Sequence, residues 1–325
     1  MRRREFITLL GGSAGWPLAA RAQQPTMPVV GFLNSASPET FGLYVEAFAK
    51  GLQESGFVEG RNVAIEYRWA RGRYDQLPSL ANDLVERKVT VIAAAGEPAV
   101  AAARSATSNI PIAFLIGGDP VRLGFVASFN RPAGTATGVT MLTTALDVKR
   151  LGILREALPK AATFAVLLNP RFPGSDERTR AVQEGALSIG QHITVAVAST
   201  ENEINQAFAN FDRARPDALL VAGDPFFNAR RDQIVALASQ HSIPAIYEWR
   251  EFATSGGLMS YGTYLTDVYR QQGNYAGRIL KGENPANLPV QQPVKFDLVI
   301  NLKTAKALGL EIPPTLVARA DEVIE

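Results

Sequence analysis

Three places in this 325-residue chain read glycine, acid, proline: Gly96-Glu97-Pro98, Gly118-Asp119-Pro120 and Gly223-Asp224-Pro225. Each follows a short apolar run and precedes a stretch that reads as helix. A carboxylate there caps the helix, and proline suits its first position. Location adds a second meaning, because open parallel sheets bind ligands beyond the carboxyl ends of their strands. The same edge is expected to hold Asn34 and Ser35 after the first strand, Asn169 after the strand that opens the second half, and Glu248 after the run Ile243 to Tyr247. Two such edges facing each other enclose a cleft of carboxylates, amides, hydroxyls and helix N-termini. The carboxylates suit an ammonium or a hydroxyl donor, and the helix N-termini suit a carboxylate. An amino acid or a similar small organic acid meets both needs. Phe226, Phe227, Tyr247, Trp249, Tyr261 and Tyr264 cluster near the same edges. They serve either as core or as walls for a planar ligand, and Trp69 is a weaker candidate wall.

The elements that must position these residues are legible as an alternation. Strands are expected at 28–34, 62–68, 89–94 and 110–116, with helices at 41–52, 75–86 and 98–106 between them. Phe41, Tyr44, Val45, Phe48 and Leu52 share one helical face. The rhythm restarts with Thr163 to Leu168, a wholly apolar run suited to a strand covered on both sides. Strands at 193–197, 217–222 and 243–247 then alternate with helices at 174–189, 201–213 and 228–240. This order predicts an α/β fold of two doubly wound parallel-sheet lobes. Three short matches point to duplication of a lobe: Phe32-Leu33-Asn34 with Leu167-Leu168-Asn169, Ala95 to Pro98 with Ala222 to Pro225, and Ile110-Pro111 with Ile243-Pro244. The tail after Gly257, with a helix at 264–281 and a strand at 295–301, is too thin for a domain of its own and is expected to complete the two lobes. The expected division is 28–141 plus about 263–290 for one lobe, and 142–262 plus about 291–325 for the other.

Composition narrows the chemistry. There is no cysteine, and histidine occurs only as His192 and His241. Thiolate chemistry is therefore excluded, a multi-histidine metal centre nearly so, and no metal or cofactor is expected. The dinucleotide, phosphate-loop, zinc-protease and serine-hydrolase motifs are missing. Residues 1–22 carry Arg2, Arg3 and Arg4, then an apolar stretch from Phe6 to Leu18, then Ala20-Arg21-Ala22. That pattern predicts a secretory signal cleaved near Ala22. Arg3-Arg4-Glu5-Phe6-Ile7 favours twin-arginine export over the general route. Without this segment the chain has 29 basic and 30 acidic residues, against 33 and 31 with it. Nucleic acid is then not an expected partner.

Gly56 to Val63 (GFVEGRNV), Asp119-Pro120-Val121, Asn130-Arg131-Pro132, Thr137-Gly138-Val139 and Leu298 to Asn301 (LVIN) occur in an order that resembles the solute-binding proteins of ABC importers often labelled tryptophan/tyrosine transport systems. The resemblance spans about Val29 to Leu310. It implies a type I periplasmic binding protein fold with a three-strand hinge, a small-molecule ligand, an inner-membrane permease as partner, a monomeric state and no catalysis. Carried over, the family's ligand loops fall on Asn34-Ser35, Gly96-Glu97, Asp119, Asn169, Asp224, Glu248 and Tyr261-Gly262. Phe226 and Tyr247 join them from the aromatic cluster. This chain departs from the commoner pattern at 96–98, 223–227 and 247–249, where its loops are more acidic or bulkier. An exported enzyme on a small acid, or a periplasmic sensor feeding a membrane kinase, are the alternatives.

Overall fold

The computed structural model describes residues 27–325. The expected signal segment, 1–22, lies outside the described residues. The first half builds β1 (Val29–Asn34), α1 (Pro38–Glu54), β2 (Ala64–Trp69), α2 (Leu77–Glu86), β3 (Val91–Ala95), α3 (Glu97–Ala106), β4 (Ile112–Ile116) and β5 (Ala136–Thr140). Then follow α4 (Asp147–Ala157), β6 (Thr163–Leu168), α5 (Ser175–Ser188), β7 (His192–Val197), α6 (Glu201–Ala214), β8 (Ala218–Val221), α7 (Pro225–Ala229), α8 (Arg231–Gln240), β9 (Ala245–Tyr247), α9 (Arg250–Thr254) and β10 (Met259–Gly262). The tail supplies α10 (Leu265–Leu280), β11 (Asp297–Asn301), α11 (Leu302–Ala307), α12 (Pro314–Val317) and β12 (Glu322–Ile324).

The strands form two sheets, ordered β2-β1-β3-β4-β5 and β12-β11-β10-β9-β8-β6-β7. Every pairing is parallel except β10 with β11. Read from β7, the second sheet runs β7-β6-β8-β9-β10, the order of the first sheet repeated. The three sequence matches fall at equivalent places: the ends of β1 and β6, the ends of β3 and β8, and the entries to β4 and β9. The central strands are buried on both faces, which is why runs such as VIAAA, IAFLI and TFAVLL lack polar alternation.

The chain passes between the sheets three times: after β5, between β10 and α10, and before β11. These passages make the fold that of a type I periplasmic binding protein, two parallel-dominated lobes on a three-strand hinge. α10 leaves the second sheet and packs along α1 and over β3, β4 and β5. The two helices meet closely because Gly51 and Gly273 have no side chains; a Cβ on either would lie 1.9 to 2.0 Å from a carbonyl oxygen of the other helix. β11 and β12 extend the second sheet.

Six elements, β5, α4, α9, β10, α12 and β12, are not legible in the sequence as regular structure. Pro120, unlike Pro98 and Pro225, begins turns and no helix. The helix expected at 228–240 begins at Pro225 and breaks at Arg230. No helix among the described residues is long and apolar enough to cross a membrane.

Candidate functional site

The carboxyl ends of β1, β3, β4, β8 and β9 converge on a cavity between the lobes. It encloses about 510 Å³, counting the part open to solvent. Its apolar walls are Phe41, Leu115, Ile116 and Leu265 with Met141, Phe172 and Trp249; its polar groups include Asn34, Glu97, Thr143, Asp224, Glu248 and Tyr269. A second chamber at the mouth shares Glu97, Thr144 and Phe172 and adds Asp119, Arg122, Glu177 and Arg178.

The first lobe contributes Glu97, in the opening turn of α3 and 2% exposed. Its Oε1 accepts the backbone N–H groups of Gly117 and Gly118 at 2.8 and 2.6 Å, just beyond β4. Burial pushes its carboxyl up to about 7, against the pull of those amides and of Arg178. Asn34 is oriented from both ends: its amide donates to the Tyr269 hydroxyl at 3.0 Å and its carbonyl accepts the N–H of Ala36 at 2.8 Å. Gly96 holds a positive φ at the turn and lines the cavity. Ser35 lies behind it, donating to the Ala95 carbonyl.

The second lobe contributes Asp224 and Glu248. Asp224 caps α7, accepting the N–H groups of Phe226 and Phe227 on Oδ1, while Asn169 donates to Oδ2 at 3.2 Å. Oδ1 also accepts the Tyr74 hydroxyl at 2.9 Å. That bond crosses the cleft. Burial raises the Asp224 carboxyl, opposed by these bonds. Phe226 packs over Gly72 of the other lobe, and Arg122 pairs with Glu177 at the mouth. These contacts hold the lobes closed.

Glu248 is 2% exposed, and neither of its oxygens has a well-formed hydrogen bond among the described residues. The Thr143 hydroxyl lies close enough to pull the Glu248 carboxyl down, and is 3.4 Å from the Gly117 carbonyl. Burial raises the Glu248 carboxyl, and Arg150 and Arg178 oppose that rise. Its carboxylate lies over Gly223, where a Cβ would sit 1.0 Å from Oε2, so only glycine leaves it room. Beneath it runs a buried ionic triad. Arg150 meets Asp147 at 2.7 Å and Arg178 meets it at 2.6 Å, with side chains no more than 5% exposed. Arg178 also donates to the Gly223 carbonyl, and Arg150 to the carbonyls of Thr143 and Tyr261.

Of the residues expected at the site, Asn34, Gly96, Glu97, Asp224 and Glu248 line one cavity. Asn169 and Ser35 sit immediately behind it. Asp119 lines the mouth and caps its own turn through the N–H groups of Val121 and Arg122. Three aromatics are elsewhere. Phe226 closes against the other lobe, Tyr247 stacks on Phe252 with centroids 4.6 Å apart, and Tyr261 stacks on Phe296. The aromatic rings that line the cavity are instead Phe41, Phe172, Trp249 and Tyr269. Trp249 belongs to the aromatic cluster noted in the sequence; Phe41 was read only as the apolar face of a helix. Tyr74, Thr143 and the triad carry no sequence signal at all. The N-terminus of α7 is already occupied by the protein's own Asp224, whereas that of α3, at Gly96, carries no side-chain cap.

A cavity closed between two lobes, with its polar groups at strand ends, belongs with known proteins. The family model for ABC transporter substrate binding protein matches residues 31–324. The chain belongs to this family. A tyrosine-binding protein of Clostridioides difficile is 27% identical over 266 residues, which are 82% of this chain and 76% of that protein. Among solved structures, an ABC domain in complex with L-Trp from Streptococcus pneumonia overlays with a TM-score of 0.84 at 23% identity, covering 91% of this chain and 99% of that one. The ligand-free, open structure of a substrate binding protein with adhesive properties from Clostridium difficile overlays at 0.65 with 26% identity, over the same shares of the two chains. This family member is thus a substrate-binding protein with its lobes together.

Proposed function

We propose that the chain is the exported, periplasmic solute-binding component of an ABC importer. It works as a monomer, captures a small solute of the amino-acid type with an amine and an apolar or aromatic body, and hands it unchanged to an inner-membrane permease. Residues 28–141 plus about 263–290 form one jaw, and 142–262 plus about 291–325 form the other. Asn34, Gly96, Glu97, Asp224 and Glu248 face the solute. Ser35 and Asn169 position them, Asp119 guards the mouth, and Phe226, Tyr247 and Tyr261 support the walls.

The observation that carries this reading is the unpartnered, fully buried Glu248 in a cavity walled by both lobes. A buried carboxylate without a hydrogen bond is costly, and a bound donor relieves that cost. A solute that touches both lobes favours the closed state over the open one. The test is native mass spectrometry of the protein as purified, followed by X-ray scattering and melting with the identified solute. Binding should compact the protein and raise its melting temperature. Conversion of the solute, or a solute that neither compacts nor stabilises the protein, overturns the reading.

A further inference from the structure

The cavity holds hydrogen-bond donors as well as acids. Trp249 lines it and is 6% exposed, yet its Nε1 has no hydrogen-bond partner among the described residues. A buried donor left without an acceptor is costly. Leu265 and Tyr269 line the same cavity one turn apart on α10. The Tyr269 hydroxyl accepts from Asn34, and its own proton goes to no acceptor among the described residues. Burial holds that proton on the phenol. α10 starts beside Glu248: a Cβ on Gly262, just before the helix, would lie 2.0 Å from the Glu248 carbonyl oxygen. The N-terminus of α10 has no side-chain cap, and the amide of Leu265 finds no acceptor among the described residues. α1 and α3 also begin at the cavity without side-chain caps. There the first-turn acids, Glu39 and Glu97, draw on the amides of their own residues. The first-turn acid of α10, Asp267, has a side chain 62% exposed and faces Arg270 instead. α1 lies alongside α10 and parallel to it, with Phe41 against Tyr269 and Gly51 against Arg270 and Asn274, so both helix dipoles present their positive ends here.

We propose that Trp249 and Tyr269 are the residues that select a carboxylate: the indole N–H and the phenol O–H, with the amide that opens α10, receive the solute's carboxylate, while Glu248 receives its ammonium. This rests on the reading of the cleft as a trap for an amino-acid-type solute and assigns the two ends of that solute. Glu248 and Trp249 are consecutive in the chain, so an acceptor and a donor stand side by side, as the two charged groups of an α-amino acid stand on one carbon. Neutral donors suit this place. A guanidinium there would pair with Glu248 in the empty cleft, whereas an indole and a phenol supply hydrogen bonds without adding charge. Trp249 belongs to the second lobe, and Tyr269 to a helix packed on the first. One carboxylate held by both therefore bridges the lobes and favours closure.

The test is calorimetric titration of the purified protein with L-leucine, L-phenylalanine, L-tyrosine and L-tryptophan, and with the carboxamide of each. The acid that binds most tightly should exceed its carboxamide by about 10-fold or more, because a charged acceptor strengthens each bond. Tyr269→Phe keeps the ring and removes the donor. It should lower affinity for that acid by about 10-fold and for the carboxamide by about 3-fold or less. The Asn34 amide loses its acceptor in this variant, a cost that falls on acid and carboxamide alike. Trp249→Phe should narrow the ratio of acid to carboxamide in the same way, whatever the smaller ring costs both compounds together. Equal losses for acid and carboxamide in a variant make that ring a wall and overturn its role, leaving the solute-binding reading intact. A carboxamide that binds the parent as tightly as its acid overturns the carboxylate assignment and also leaves that reading intact. Silence from every compound overturns the amino-acid reading and the assignment with it. Should Trp249→Phe not fold, Tyr269→Phe decides alone.

Discussion

Glu97 and Glu248 are buried to the same extent, 2% exposed, and face the same cavity from opposite lobes, yet they are held by different forces. Glu97 is held by dipoles. Two backbone amides at the end of β4 fix one of its oxygens. Glu248 is held by net charge. It has no well-formed hydrogen bond, and what keeps it beside Gly223 is the surplus positive charge of the Arg150–Asp147–Arg178 triad. Dipoles position an oxygen; a net charge only lowers the cost of having one there. One carboxylate is therefore a fixed part of the first lobe's edge. The other is poised for a partner that arrives with the ligand.

The largest effect is expected from removing the triad's centre. Asp147→Ala leaves two buried guanidiniums facing each other, with Glu248 as their nearest counter-ion. Breaking such a buried pair costs about 3–5 kcal/mol, read by urea unfolding. Glu248 should then turn to the arginines and leave the cavity, so the variant should also lose ligand binding under conditions where it remains folded. A variant that keeps both stability and affinity would show that Glu248 does not depend on the triad.

Next comes pH, which separates the two carboxylates by what holds them. Glu97 is raised from 4.5 to about 7 in the closed protein. The native state then binds a proton that the unfolded chain releases above about pH 4.5. Stability from this group is complete below that pH and is lost as pH rises through 7. The shift corresponds to about 3 kcal/mol at most. The charged groups in the same chambers are Asp224 and Glu248, with Asp119, Arg122, Glu177 and Arg178 at the mouth. Asp224 and Glu248 are also raised by burial and slope the same way. Urea unfolding at pH 5 and pH 7.5 should show the parent losing stability at the higher pH, and Glu97→Gln losing visibly less. Identical slopes in the two proteins would mean that the amides of Gly117 and Gly118 hold Glu97 ionised throughout.

The contrast between the lobes also explains what the sequence could reveal. Glu97 and Asp224 were legible because glycine before and proline after mark a strand-to-helix turn. Glu248 was legible because it follows an apolar strand. The repeated lobe was legible because buried parallel strands read as unbroken apolar runs. α4 was not, because it is buried on more than one side: Asp147, Arg150, Leu151, Ile153 and Leu154 are all covered, so no stripe remains to be seen. β5, five residues with a central glycine, offers too little pattern. The aromatics misled for a related reason. Closeness to a strand end says nothing about which way a ring turns, and Tyr247 turns onto Phe252 while its neighbour Glu248 lines the cavity. Thr143 and Phe172 reach the cavity, and Tyr74 reaches Asp224, from loops and hinge passages whose meeting depends on lobe placement, a property of no local segment.

The smallest effect sharpens how that placement is kept. Tyr74 sits in a 3-10 turn before α2, in the first lobe, and its hydroxyl both donates to Asp224 and accepts the N–H of Phe226 at 3.3 Å. It is a contact between jaws that only the closed state makes. Tyr74→Phe removes one hydrogen bond and keeps the ring, so the fold loses little. Asp224 retains its capping bonds and Asn169, and is not left bare. The cost falls on closure, about 1–1.5 kcal/mol for one net hydrogen bond. Apparent affinity should drop by about 5- to 12-fold while ligand-free melting changes little, because affinity is scaled by the fraction of closed protein. Scattering of the unliganded variant should show more open protein than the parent. Asn169→Ala removes a bond to the same carboxylate from within the second lobe, and should lower melting without opening the jaws. If the two variants behave alike, the bond from Tyr74 is ordinary packing at a lobe contact and Asp224 is a helix cap and nothing more.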